Sequence, residues 1–189
     1  MKTCLLYLSV FPEDYAIVKD RLIWRWIAED FVPPGEGGQS SLELGESYFN
    51  DLVNRSLIQP ADIYEEGMPT ACRVHDMVLD LICSISREES FVATVLGDAK
   101  RNAPSWGSKV HRLSLHNTTW PTVMNMSKLR SLFNDAIINS MPCLSCHHLL
   151  RVLDLEGCSL GDHPNLSFIG NLFANTRLTS TLVCSFCDE

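Results

Sequence analysis

Between a β-prone run, Thr70 to Val74, and an apolar set at helical spacing, Val78, Leu81, Ile82 and Ile85, the chain places His75 and Asp76. An imidazole there lies beside the positive end of a helix dipole, where a phosphate is favoured, and the carboxylate after it can cap free backbone N–H groups. A histidine that only caps or hydrogen-bonds locally fits the same position. Two cysteine groups could also do chemistry: Cys143 and Cys146, followed by His147 and His148, and Cys184 with Cys187. Paired C-x-x-C motifs supply the four thiolates of a structural zinc site. The gap of 37 residues between them exceeds the usual zinc-ribbon spacing, so packed or surface thiols are the favoured reading and no metal is expected. No Gly-x-x-x-x-Gly-Lys followed by Ser or Thr occurs, none of the ten glycines opens a phosphate-cradling loop, and no Asp-rich strand stands out for Mg²⁺. The hydrolytic machinery is missing, so the chain is not expected to be an enzyme.

The elements that must position His75 follow from patterning. Lys2 to Leu8 reads as the last turns of a helix stopped by Pro12. Asp20 to Phe31 carries Leu22, Ile23, Trp26 and Ile27 on one side, with Arg21, Arg25 and Glu29 elsewhere; at least one of Trp24 and Trp26 is a core residue. After the loop Pro33 to Gly38, Ser40 and Glu43 form a capping box opening a helix to about Asn54, whose buried stripe pairs Tyr48 with Leu52 and Phe49 with Val53. Ser56 to Gln59 reads as a strand, 65–69 as a turn and Thr70 to Val74 as the returning strand. Helices followed by such a ribbon make a winged helix, closed by the His75 helix.

Residues 98–109 read as a linker, and the run Gly97 to Pro104 is polar and ends in a helix breaker. Beyond it the pattern Leu-x-x-Leu-x-Leu-x-x-Asn/Cys aligns Val110, Leu113, Leu115 and Thr118; Leu129, Leu132, Asn134 and Ile137; and Leu150, Leu153, Leu155 and Cys158, with starts 19 and 21 residues apart. Such spacing implies one short strand per solenoid turn, each coil relying on its neighbours. A fourth copy near Leu172 lacks its second leucine, so a truncated solenoid with an uncapped last coil is expected.

Composition is that of a folded protein, 46% hydrophobic and 20% charged over 189 residues. Charge is uneven. Residues 1–97 hold 7 Lys+Arg against 16 Asp+Glu, net −9, whereas 98–189 hold 8 against 7, net +1. A winged helix often binds DNA, but the helix that would enter the groove carries Glu43, Glu46 and Asp51 and no Lys or Arg, so no nucleic-acid partner is expected. Leu5 to Val10 is too short for a signal-peptide core or a membrane span. A cytoplasmic chain is expected, with its eight cysteines as thiols and not a disulfide framework.

Val74-His75-Asp76, followed by Met-Val-Leu-Asp-Leu, resembles the Met-His-Asp motif of plant nucleotide-binding leucine-rich-repeat disease resistance proteins of the coiled-coil class, where Val often replaces Met. Cys4 to Ile17, Asp20 to Val32, Tyr48 to Pro60, Arg73 to Leu81 and Leu149 to Cys158 resemble blocks of the same family in the same order, covering most of 2–172. The resemblance implies an α+β fragment: a winged-helix subdomain at 1–97, a linker at 98–109, and incomplete leucine-rich repeats of a truncated solenoid at 110–189. It implies that the helix at Lys2 is preceded in the family by a nucleotide-binding core. In the parent receptor His75 would contact the β-phosphate of ADP, Asp76 would hold the resting-state geometry, and Val74 would complete the motif. Exchange of ADP for ATP would release the receptor, and family members altered at the aspartate tend to signal without a trigger. Implied partners are the nucleotide-binding and coiled-coil domains of a full-length receptor, and a pathogen effector or guarded host protein on the repeats. The implied location is the cytoplasm, free or peripheral to the plasma membrane. This chain alone, with no phosphate loop, is expected to bind no nucleotide usefully. The alternatives are a standalone interaction module that associates with other receptors and, less favoured, a winged-helix DNA binder.

Overall fold

A computed structural model of the chain describes residues 1–35, 38–63, 69–97, 110–116, 118, 127–134 and 149–156, and the backbone of 183–185. They fall into two units dividing between Phe91 and Val92. In the first, α1 (Lys2–Tyr7) runs into a 3₁₀ turn (Leu8–Val10), and Phe11 is extended, as the residue before Pro12 must be. There follow β1 (Ile17–Val18), α2 (Lys19–Ala28), α3 (Ser41–Asn54), β2 (Ile58–Ile63), β3 (Pro69–Val74) and α4 (Asp76–Glu88). The ribbon is antiparallel, in the order β1-β3-β2, with Ile17 opposite Cys72 and Ile58 opposite Val74. The expected capping box is present: Glu43 N–H donates to Ser40 Oγ (3.1 Å), and Ser40 N–H to Glu43 Oε2 (2.8 Å).

Several boundaries and faces differ from the sequence reading. The two-residue β1 was not foreseen, because it is too short to show a period. The strand expected from Ser56 begins at Ile58, since Ser56 (φ 57°) closes the preceding helix. The stripe of α3 is Gly45, Phe49 and Leu52, while Tyr48 and Val53 are only half-buried. Gly45 is required there: a Cβ would stand 2.5 Å from Ile23 Cγ2, so its absence lets α2 and α3 approach. Arg25 and Glu29, placed on the outer side of α2 by pattern, are buried at 1% and 3% exposure. The Arg25 guanidinium sits 5.2 Å over the Phe11 ring, whose aromatic face tolerates a cation where a leucine would not. Of the tryptophans, Trp26 is fully buried and Trp24 is exposed. α4 buries Leu79, Ile82 and Ser86, leaving Leu81 at 58% and Met77 at 79% exposure. Its apolar band is wide enough to permit either rotation. Ser86 decides, because its hydroxyl bonds that of Ser9 at 3.0 Å within a buried contact.

All three long helices stop in the same way. Asp30, Ser56 and Ser90 adopt φ of 60°, 57° and 51°, and the amides of Phe31, Leu57 and Phe91 return to the carbonyls of Trp26, Leu52 and Ser86 at 2.9, 3.0 and 2.8 Å. These are Schellman closures with no glycine. They turn Phe31 and Phe91 inward, where the rings meet with centroids 5.8 Å apart. A side chain in the left-handed region is strained, so Ser56→Gly and Ser90→Gly are each expected to stabilise the unit by about 0.5–1 kcal/mol. Chemical-denaturation midpoints that fail to rise would refute this.

The second unit begins earlier than expected: β4 (Ala93–Leu96), assigned by sequence to the winged helix, is an edge strand of its sheet. With β5 (Arg112–His116), β6 (Ser131–Asn134), β7 (Val152–Asp154) and β8 (Val183–Ser185) it forms a wholly parallel sheet in sequential order. Leu113, Leu132 and Leu153 stand in register, and every residue of β5, β6 and β7 is buried, as parallel strands covered on both faces are. The expected linker at 98–109, Ile137, Cys158 and the fourth copy near Leu172 lie outside the described residues.

Candidate functional site

Antiparallel pairing carries β3 to the junction. Val74 is 8% exposed opposite Ile58, which fixes where the chain leaves the ribbon. His75 follows in an extended conformation (φ −66°, ψ 139°) and is the N-cap of α4. Its carbonyl accepts the N–H groups of Val78 and Leu79, both at 2.8 Å. Asp76 is the first helical residue and not the cap, and among the described residues no side-chain cap bond is present at this helix, contrary to the capping role read from sequence. In the first turn its carboxylate still lies favourably in the helix dipole. His75, Asp76 and Met77 are exposed, and among the described residues no acceptor takes the N–H groups of Asp76 or Met77. The arrangement can therefore offer an imidazole and two amides to an anion.

Sequence reasoning missed Arg73. It lies in β3, two residues before His75, and is exposed, and its Nε donates to the carbonyl of Asp14 at 3.2 Å. Asp14 has φ 58°, a conformation that periodicity does not announce.

The three described thiols of this unit are held toward their protonated form. Burial pushes Cys72 up to about 12 and Cys4 up to about 11, and burial also raises Cys83. All three are free thiols. Among the described residues no three His, Cys, Asp or Glu side chains gather as a metal site. Cys143, Cys146 and Cys187 lie outside them, as does the side chain of Cys184. No helix of the described residues is long and apolar enough to cross a membrane.

Three helices, a β-ribbon and a closing helix define the first unit as a winged-helix domain. Residues 10–82 match the family described as disease resistance protein winged helix domain. The chain is 42% identical over 163 residues to disease resistance protein PIK6-NP of Oryza sativa subsp. japonica, covering 83% of this chain and 15% of that protein. It is 36% identical to disease resistance protein RGA5 of the same rice over 89% of this chain and 15% of the relative, and 32% identical to disease resistance protein RPM1 of Arabidopsis thaliana over 87% and 18%. The chain belongs to the plant disease resistance proteins, through their winged-helix domain, and spans about 15–18% of the length of these relatives.

Proposed function

We propose that this chain is a regulatory segment of an intracellular plant immune receptor, not a catalyst, in which the β3–α4 junction senses ADP. The observation that carries the reading is the placement of His75: an exposed imidazole at the mouth of α4, with the N–H groups of Asp76 and Met77 beside it. These groups suit the terminal phosphate of a nucleoside diphosphate, whose contribution when bound is negative charge at that point. His75 would hold that phosphate, Val74 would anchor the turn, and Asp76 would keep α4 in its resting orientation. A receptor state that keeps the His75 contact is favoured over one that loses it, and nucleotide exchange shifts the balance. Exposed Met77 and Leu81 on α4 support a seat against the nucleotide-binding and coiled-coil domains of a full-length receptor.

For the second unit we propose the opening coils of a leucine-rich-repeat solenoid that meets an effector or a guarded host protein. Its support is a repeated detail. The carbonyl of His111 accepts the amides of Arg130 and Ser131 (2.7 and 3.1 Å), and that of Arg130 accepts those of Arg151 and Val152 (2.7 and 3.0 Å), at the same point of successive copies.

The test is Asp76→Val within a full-length receptor carrying this segment, read as effector-independent cell death in leaf tissue. Silence there at normal protein level overturns the switch role. The chain by itself, with three donors and no phosphate loop, is expected to show no micromolar ADP affinity by calorimetry, and a micromolar value would refute that expectation.

A further inference from the structure

Helix α4 carries more apolar surface than its own unit covers. Leu79, Ile82 and Ser86 are buried, yet Met77 is 79% and Leu81 58% exposed, the largest exposures of any large apolar side chain described in the first unit. Four positions apart on one helix, Met77 and Leu81 are neighbours on its outer side, and half-buried Ile85 continues the row by one turn. One exposed apolar side chain is ordinary on a folded protein, whereas a continuous row marks a contact surface. A second row runs beside the first. Asp76 and Asp80, each one position earlier, are also four apart, and both are exposed. Like charges at that spacing disfavour the helix that carries them. Among the described residues no cation pairs with either: Lys2 pairs with Glu89 at 2.6 Å, Lys19 with Glu46 at 3.5 Å, and Arg25 is buried. The helix as a whole sets Asp76, Asp80 and Glu88 against Arg87 alone.

The charge of this face selects among occupants. A second copy of the chain would bring carboxylates against carboxylates, and an anionic membrane or nucleic acid would be repelled. Both rows are complemented by a helix with apolar side chains at i and i+4 and lysines or arginines along one side of them. We propose that the outer face of α4 docks a basic amphipathic helix of another receptor domain, with apolar side chains against Met77 and Leu81 and cations against Asp76 and Asp80. The inference rests on the reading above that α4 is a seat for other receptor domains, and adds the chemistry of what sits there. It gives the carboxylate of Asp76, which caps nothing, a partner, and it is independent of the phosphate contact proposed for His75.

The probe is a synthetic amphipathic Leu/Lys peptide of about five helical turns, with a Leu/Glu peptide of the same apolar pattern as its charge-reversed counterpart. Each is titrated into the full 189-residue chain and followed by NMR. Saturable shifts are expected for the Leu/Lys peptide at the methyl groups of Met77 and Leu81 and at the amide of Asp80, weakening as salt is raised. The Met77→Gln/Leu81→Gln double variant should weaken binding roughly five- to twentyfold, and Asp80→Asn about two- to fivefold. Leu42→Gln and Asp20→Asn, an exposed apolar and an exposed acidic residue on other helices, should leave it unchanged. Equal weakening by either control overturns the proposal by showing bulk hydrophobicity or bulk charge. Binding of the Leu/Glu peptide to α4 at the same affinity overturns the basic partner and leaves the seat standing. If neither peptide moves the α4 signals, both fall. Shifts on α4 that grow with protein concentration alone make a second copy the occupant and overturn the proposal as well. The wild-type shift map decides even if a variant fails to fold.

Discussion

Trp26→Ala is expected to cost the first unit about 3–5 kcal/mol, whereas Trp26→Phe is expected to stay within about 1 kcal/mol of wild type. Trp26 is fully buried and is among the largest sealed side chains of the unit. Truncation opens a cavity that the surrounding helices and ribbon can only partly close. A loss of that size rivals the whole stability of a small domain, about 5–15 kcal/mol. Phenylalanine keeps most of the ring volume and removes a liability, because the indole Nε1 finds no acceptor among the described residues. An unmet buried donor costs about 1–3 kcal/mol, which offsets the lost second ring. Urea unfolding followed by circular dichroism checks both variants. Equal damage from Phe and Ala would mean that the indole N–H is bonded in solution and that this account of the core is wrong.

Alkaline pH is expected to remove roughly 2–4 kcal/mol of stability by pH 10.5 through Cys4 and Cys72. Both thiols are raised above their ordinary 9.0 by burial, to about 11 and about 12. Folded, they keep their protons to higher pH than they do unfolded. Their contribution is therefore complete below pH 9 and disappears as pH climbs toward the folded values. The Cys4→Ala/Cys72→Ala double variant, less stable at neutral pH because it leaves small cavities, should show a markedly flatter decline between pH 8 and 10.5. Titrating tyrosines and lysines are common to both proteins and cancel in the comparison. Parallel declines for the two would rule the thiols out.

How far the fold could be read from residues depended on whether the signal was local. The Ser40–Glu43 box, the strand leading into His75 and the in-register leucines of β5 to β7 are local or periodic, and each stands where the pattern put it. What escaped was set by tertiary partners. The direction of α4 was legible but its rotation was not, since Met77, Val78, Leu79, Leu81, Ile82 and Ile85 offer two apolar faces and Ser86 selects between them. Arg25 and Glu29 read as solvated charges until the ring of Phe11 and the closure after α2 enclose them. Strand β4 looked like the tail of one unit because Ala93 and Val95 stand where β5 carries Leu113 and Leu115, so the repeat pattern does not announce it. At the candidate site, His75 was announced by the strand-to-helix handover. Arg73 was not, because its tether is a carbonyl 59 positions away in a left-handed turn.

The buried contact between Ser9 and Ser86 reaches beyond its own neighbourhood. A straight helix transmits rotation rigidly, so a hydroxyl pair near the end of α4 acts as a key in a shaft and sets the angle at which the opposite end presents its first residues. His75 lies eleven positions upstream of Ser86, about 16 Å along the axis. A change at Ser9, in the 3₁₀ turn Leu8–Val10 that meets the far end of α4, would then bear on the angle at which that ring is held.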